Sequence, residues 1–234
     1  MEKIAVSRFV PNEFWVQEAL KVLRTNIMFS GTNVRAVGLT SFGAAEGKST
    51  ICLQLAISLA QMGKRVLLVD ADLRKSVLAG RLRVKTKVEG LSHYLSGLAN
   101  ANELLQETDV DGLYIMFAGA RVPNSADLLG SDSFNRLITA LRESFDYVIV
   151  DTAPLGQVVD AAVMASVLDG VVMVIDATKN SYKLERRIKA QLEKADGKVL
   201  GAILNQVDYK DRLGYYGYGK RYGGYYYYGS DDQE

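Results

Sequence analysis

Six short apolar runs, at residues 34–39, 66–69, 113–117, 147–150, 171–175 and 199–204, constrain this chain more than any other feature. Most are continuous rather than alternating, which suits strands covered on both faces, as in a parallel sheet. Helical patterns at 49–62, 131–144, 158–168 and 181–195 separate many of them. This alternation predicts an α/β fold: an open, doubly wound, mostly parallel sheet with right-handed crossovers. Ligands of such sheets bind beyond the carboxyl ends of the strands, so the residues just after each run matter most. Residues 75–112 are more polar and less regular, and read as loops and short helices.

Three strand ends carry chemistry. Ser41-Phe42-Gly43-Ala44-Ala45-Glu46-Gly47-Lys48-Ser49-Thr50 follows one run and opens a helix, the context in which Gly-Lys-Ser makes a phosphate loop. The N–H groups of such a loop and the helix dipole both point at an anion. Lys48 is expected at the β- and γ-phosphates and Ser49 on Mg²⁺, with Gly43, Ala45, Glu46, Gly47 and Thr50 completing the cradle. The usual Gly-x4-Gly-Lys-Ser spacing puts its first glycine at Phe42; here it comes one place later, at Gly43. If the backbone at Ala45 needs a positive φ, alanine there costs about 1 kcal/mol or more.

The second end, Asp70-Ala71-Asp72-Leu73-Arg74, presents two carboxylates on one side of a strand tip. Opposite a phosphate loop they suit Mg²⁺, which keeps several waters and takes one or two carboxylates. One of them is also placed to accept a hydroxyl proton. Arg74 either neutralises phosphate charge in the transition state or pairs with a carboxylate. The third end is Asp151, after the run at 147–150, in the position that holds the Mg²⁺ shell beside Ser49.

The rest of the composition excludes several classes. A formal net charge of +1 gives no overall field for nucleic acid, and no nucleic-acid partner is expected. No apolar run approaches the roughly 20 residues needed to cross a bilayer, and the first ten residues lack the apolar core of a secretory signal, so the chain reads as cytoplasmic. Cys52 and His93 are the sole Cys and His, so any metal takes oxygen ligands. Cys52 reads as a buried small hydrophobe and His93 as structural.

After Val207 the composition changes. Residues 212–234 are almost free of aliphatic side chains and hold Tyr215, Tyr216, Tyr218, Tyr222, Tyr225, Tyr226, Tyr227 and Tyr228 between glycines. Such a segment cannot build a core and reads as a flexible tail. Beside a phosphate site its phenols are candidate phosphoacceptors; without one, Tyr/Gly repeats are adhesive. Each phosphorylation adds roughly −1.5 to −2 charge.

Gly47-Lys48-Ser49-Thr50, Asp70-x-Asp72-x-Arg74 and Asp151 after three apolar residues resemble the Walker A, A′ and B set of the bacterial protein tyrosine kinases of capsule and exopolysaccharide synthesis. Pro123-Asn124-Ser125-Ala126-Asp127-Leu128-Leu129 is similar to the family's Pro-Asn-Pro-x-Glu-Leu-Leu stretch. The resemblance implies ATP and Mg²⁺ as cofactors, Asp70, Asp72, Lys48 and Arg74 in catalysis, and adenine contacts from Asn205. It also implies autophosphorylation of the tail between subunits and other protein tyrosine substrates. Further implications are a separate membrane activator protein that works through its cytoplasmic segment, and recruitment to the inner face of the membrane. Glu18, Lys21 and Arg24 are similar to the family's Glu-x-x-Arg-x-x-Arg oligomerisation helix, so a homo-oligomeric ring is expected; the other reading is a solvated helix face with an i,i+3 pair. The implied organisation is a kinase domain at 1–211, with the oligomerisation region at 1–32, and the tail at 212–234. A partitioning-type switch ATPase and a nucleotide-binding scaffold without kinase activity are the alternatives. Family members usually carry Pro-Gly at Ala44-Ala45 and Pro-Pro at Ala153-Pro154, which bears on rate.

Overall fold

The structure, a computed structural model, describes residues 3–84, 88–179 and 181–207. The tyrosine segment and the boundary expected at 212 lie outside the described residues. Among the described residues seven strands form one sheet: β1 Ala36–Ser41, β2 Val66–Asp70, β3 Gln106–Glu107, β4 Leu113–Met116, β5 Tyr147–Asp151, β6 Gly170–Asp176 and β7 Val199–Asn205. Their order is β3-β4-β2-β5-β1-β6-β7. Every pairing is parallel except β3 with β4.

The expected apolar runs become strands because both sheet faces are covered. Along β2 and β5, Leu67, Val69, Val148 and Val150 face one core with Phe134, Leu137 and Leu141 of α6 (Asp132–Ser144). Met164 of α7 (Asp160–Ala165) and Ile188 and Leu192 of α8 (Tyr182–Lys194) join the same core. The alternate residues Val66, Leu68 and Ile149 face the other core with Ile51, Leu55 and Leu59 of α2 (Lys48–Ala60) and Ile27 of α1 (Phe14–Phe29). Fully burying each such side chain is worth about 1.5–3 kcal/mol.

Three expectations are corrected. Residues 75–112 contain helices α3 (Leu78–Arg81) and α4 (Leu91–Leu95) as expected, but also the strand β3. It is two polar residues long and carries no apolar run, yet it pairs Gln106 with Ile115 and Glu107 with Tyr114. Among the described residues the last run is not covered on both faces: β7 stands at the edge of the sheet, and Leu204 is 56% exposed. The helix expected at 158–168 is helical only from Asp160 to Ala165, after which the Val167 N–H bonds the Met164 carbonyl three residues back in a tighter turn. A short helix α5 (Ser125–Leu129) precedes α6, whose N-cap is Ser131.

Among the described residues no helix is long and apolar enough to cross a membrane. Helix α1 divides the charged trio expected on one face. Glu18 and Lys21 pair with each other at 2.6 Å, whereas Arg24 turns onto α2 and donates to the Ser58 carbonyl and hydroxyl at 3.2 and 3.1 Å. Phe14, Trp15, Val22 and Phe29 of this helix are exposed.

Candidate active site

Strands β1, β5 and β2 are neighbours, so their carboxyl ends bring the phosphate loop, Asp151 and Asp70 together. The register pairs Leu39 with Asp151 and Asp70 with Asp151. The loop leaves β1 at Ser41 and re-enters structure at Lys48, the first residue of α2. Gly47 has φ +90° and Ala45 φ +61°, so the left-handed position anticipated at Ala45 is real and its methyl sits where L-residues are strained. The first helical bond runs from the Ile51 N–H to the Gly47 carbonyl, which leaves the N–H groups ahead of it without helical acceptors.

Two of the residues expected on the nucleotide also act on the loop itself. Glu46 is buried, and its carboxylate accepts the N–H groups of Gly43 at 2.9 Å and Phe42 at 3.2 Å. A carboxylate under the loop satisfies the donors that face inward, which fixes the curl. Asn205, the last residue of β7, donates from its side chain to the Glu46 carbonyl at 2.9 Å, and Gln206 to the Ala45 carbonyl at 3.4 Å. A Cβ on Gly47 would come within 2.1 Å of the Asn205 amide nitrogen. Glycine is therefore required at 47 for both its backbone angle and its clearance.

Lys48 and Asp151, assigned by sequence to phosphate and metal, bind each other as a buried ion pair. Burial pulls the Lys48 ammonium down, but Asp151 beside it, with smaller help from Asp72, makes the net shift upward. Burial pushes the Cys52 thiol well up and keeps it protonated, and its Sγ donates to Asp151 at 3.6 Å. Asp70 is buried and its carboxyl is raised to about 7, first by desolvation and then by the charge of Asp151. The Ser76 hydroxyl donates to Asp70 and opposes that rise.

Asp72 is half-buried, on the open side of the same turn. Its Oδ1 accepts the N–H groups of Arg74 at 3.2 Å and Lys75 at 2.9 Å, so the turn orients it. Arg74 pairs with a carboxylate, one of the two alternatives open from sequence: Asp160, fully buried at the start of α7. Asp160 also accepts the Ser125 hydroxyl at 2.7 Å. One carboxylate thus ties together the turns after β2, β4 and β5. Sequence reading missed Asp160 and Ser125; the available signal was a lone charge in the apolar run Val158-Val159-Asp160-Ala161-Ala162.

The donor set fits a hydrated Mg²⁺ next to phosphate. It consists of the Ser49 hydroxyl and the carboxylates of Asp70, Asp72 and Asp151, with Lys48 between loop and strand. Among the described residues no three His, Cys, Asp or Glu side chains group closely enough to hold a metal ion by themselves; Mg²⁺ takes one or two carboxylates and keeps several waters. His93 takes no part: its Nδ1 accepts the Gly90 N–H at 3.1 Å at the start of α4. Glu185, in the first turn of α8, is buried with both carboxylate oxygens lacking a hydrogen-bond partner among the described residues. Burial and then nearby Glu46 raise its carboxyl.

Residues 39–196 match the AAA domain family. The chain is 42% identical over 207 residues to the tyrosine-protein kinase CpsD of Streptococcus agalactiae, covering 88% of this chain and 90% of that protein. It is 35% identical to the tyrosine-protein kinase YwqD of Bacillus subtilis, covering 86% of each. Among solved structures, the kinase domain of the Escherichia coli tyrosine kinase ETK superposes with a TM-score of 0.78 at 31% identity, over 92% of this chain and 80% of that one.

Proposed function

The chain belongs to the bacterial tyrosine-protein kinase family that CpsD and YwqD represent, and from that premise we propose that its acceptors are tyrosines of its own C-terminal segment, phosphorylated between subunits. The reaction moves the γ-phosphoryl group of ATP to a phenol oxygen, in the service of capsular or exopolysaccharide synthesis and export. The observation that carries this reading is the meeting of the phosphate loop with Asp70, Asp72 and Asp151 at three adjacent strand ends.

Mg²⁺, when bound, would supply neutralisation of the charge that develops during transfer. Ser49 and Asp151 would hold it, with Asp70 and Asp72 as the further carboxylates of its shell. Lys48 exchanges Asp151 for the β- and γ-phosphates. Burial decides which acid meets the acceptor: Asp70 is covered and engaged by Ser76, whereas Asp72 is half-exposed. Asp72 takes the tyrosine proton as the new O–P bond forms and the bond to the β-phosphate oxygen breaks, releasing ADP. Arg74, held by Asp160, fixes the turn that aims Asp72. Oligomerisation uses α1, whose exposed Phe14, Trp15, Val22 and Phe29 support a partner surface. The cytoplasmic segment of a separate membrane protein activates the kinase and recruits it to the inner face of the membrane.

The test is incubation with ATP, Mg²⁺ and that activator segment, followed by phosphotyrosine mapping by mass spectrometry. Phosphate is expected on residues 215–228 and absent in Lys48→Met; an unmodified tail, or equal signal in the variant, overturns the reading.

A further inference from the structure

Helix α8 has an outer side of unusual charge. Its Ile188 and Leu192 are buried, while Lys183, Arg186, Arg187, Lys189 and Lys194 are exposed. Of its two acids, Glu185 is buried, and Glu193 is exposed and paired with Lys189 at 3.4 Å. In the first two turns Tyr182, Lys183, Arg186 and Arg187 line a shallow cavity of about 290 Å³. The Tyr182 ring is 78% exposed, and the Arg186 guanidinium lies 5.8 Å from its centroid. Lys183 and Arg187 make no hydrogen bond or ion pair among the described residues.

An aromatic wall beside three cations selects a ligand that is both flat and multiply anionic. A carboxylate, with two oxygens and one charge, engages one guanidinium and leaves the ring unused, whereas the three oxygens of a phosphotyrosine can meet several cations at once while its phenyl ring packs on Tyr182. The N-terminal end of a 13-residue helix adds its dipole in the same direction. These are the groups that recognise phosphotyrosine.

The chain itself supplies such a ligand. It continues for 27 residues beyond Val207, from the end of β7, against which α8 packs. Residues 208–234 carry four Lys or Arg and five Asp or Glu, so the unmodified segment is nearly neutral and has little attraction for α8. Each phosphate adds roughly −1.5 to −2 charge and reverses that. From Val207 to Tyr215, eight residues reach about 27 Å when extended, longer than the roughly 20 Å of α8. We propose that the Tyr182–Arg187 face of α8 is a docking site for phosphotyrosines of residues 215–228 of this chain, in the same or a neighbouring copy. The proposal rests on the tail being the substrate, as argued above.

The test uses the full chain with its eight tail tyrosines replaced by phenylalanine. By fluorescence anisotropy it is titrated with a synthetic peptide of residues 208–234 carrying phosphotyrosine at 226 and 227, and with the unmodified peptide. The phosphopeptide is expected to bind at least tenfold tighter, more weakly as salt rises. Arg186→Gln/Arg187→Gln, and separately Lys183→Gln, are expected to lose that preference while phosphorylating an added tyrosine peptide at the basal rate. Equal binding of the two peptides overturns the proposal, as does a double variant that binds the phosphopeptide like the parent. So does a double variant that loses only its binding to phosphatidylglycerol vesicles, which would assign the face to anionic lipid. Because the peptide is made chemically, its binding is independent of whether the kinase modifies its own tail, which the mass-spectrometric map reports separately.

Discussion

Arg74 meets Asp160 through two nitrogens, Nε at 2.9 Å and Nη2 at 3.0 Å, and the carboxylate it meets is fully buried. Asp160→Ala leaves Arg74 and Ser125 without their acceptor. The expected loss is about 2 kcal/mol in urea unfolding, less than for a wholly enclosed pair because Arg74 still reaches water. Phosphotransfer is expected to fall further than ADP affinity does, since the turn carrying Asp72 loosens while the phosphate loop is untouched. Arg74→Lys loses the two-pronged contact and is expected to follow the same pattern.

Lys48→Met removes the cation that the phosphates and Asp151 share. The expected outcome is a fall in tyrosine phosphorylation of roughly 10²-fold or more, as for loss of a charge that stabilises the transferring group. Single-turnover assays with saturating ATP separate this from weaker nucleotide binding.

Ala45→Gly should stabilise the protein, against the usual cost of glycine. The backbone at Ala45 is left-handed, φ +61°, and relieving it is worth about 1 kcal/mol. Urea midpoints of the two proteins check this, with no change in slope expected.

Asp70 links the site to pH. Its carboxyl, raised to about 7 by burial and by Asp151, must lose its proton to ligate Mg²⁺, so apparent Mg²⁺ affinity is expected to weaken roughly tenfold per pH unit below about 7. Isothermal titration at several pH values measures it, and Asp70→Asn should flatten the profile. The stability effect has the opposite sense. Between about pH 4 and pH 7 the folded chain keeps a proton that the unfolded chain has lost, so Asp70's contribution falls as pH rises through that window.

Much of this architecture is legible in the sequence because the strands that build the site are buried on both faces. Runs such as 66–69 and 147–150 need no alternation, and an acid at the end of each is conspicuous. Strand β3 is hidden because two polar residues paired at an edge leave no apolar trace. The exposure of β7 is hidden because Val199–Asn205 reads as apolar whether or not anything covers it. Lys48, Asp70, Asp72 and Asp151 are readable as chemistry, but their internal partners are not. That Glu46 and Asn205 serve the loop itself depends on contacts 3 to 159 positions apart. The Asp160 clamp joins three turns that only the sheet order brings together.

Asn205 sits at the last position of the last strand and still braces the phosphate loop from behind. A shortened protein prepared for biophysical work must therefore keep everything through Gln206. Cutting a few residues earlier would delete no group that carries out the chemistry, yet would leave Gly47 without its backstop and yield a folded sheet with a slack nucleotide cradle.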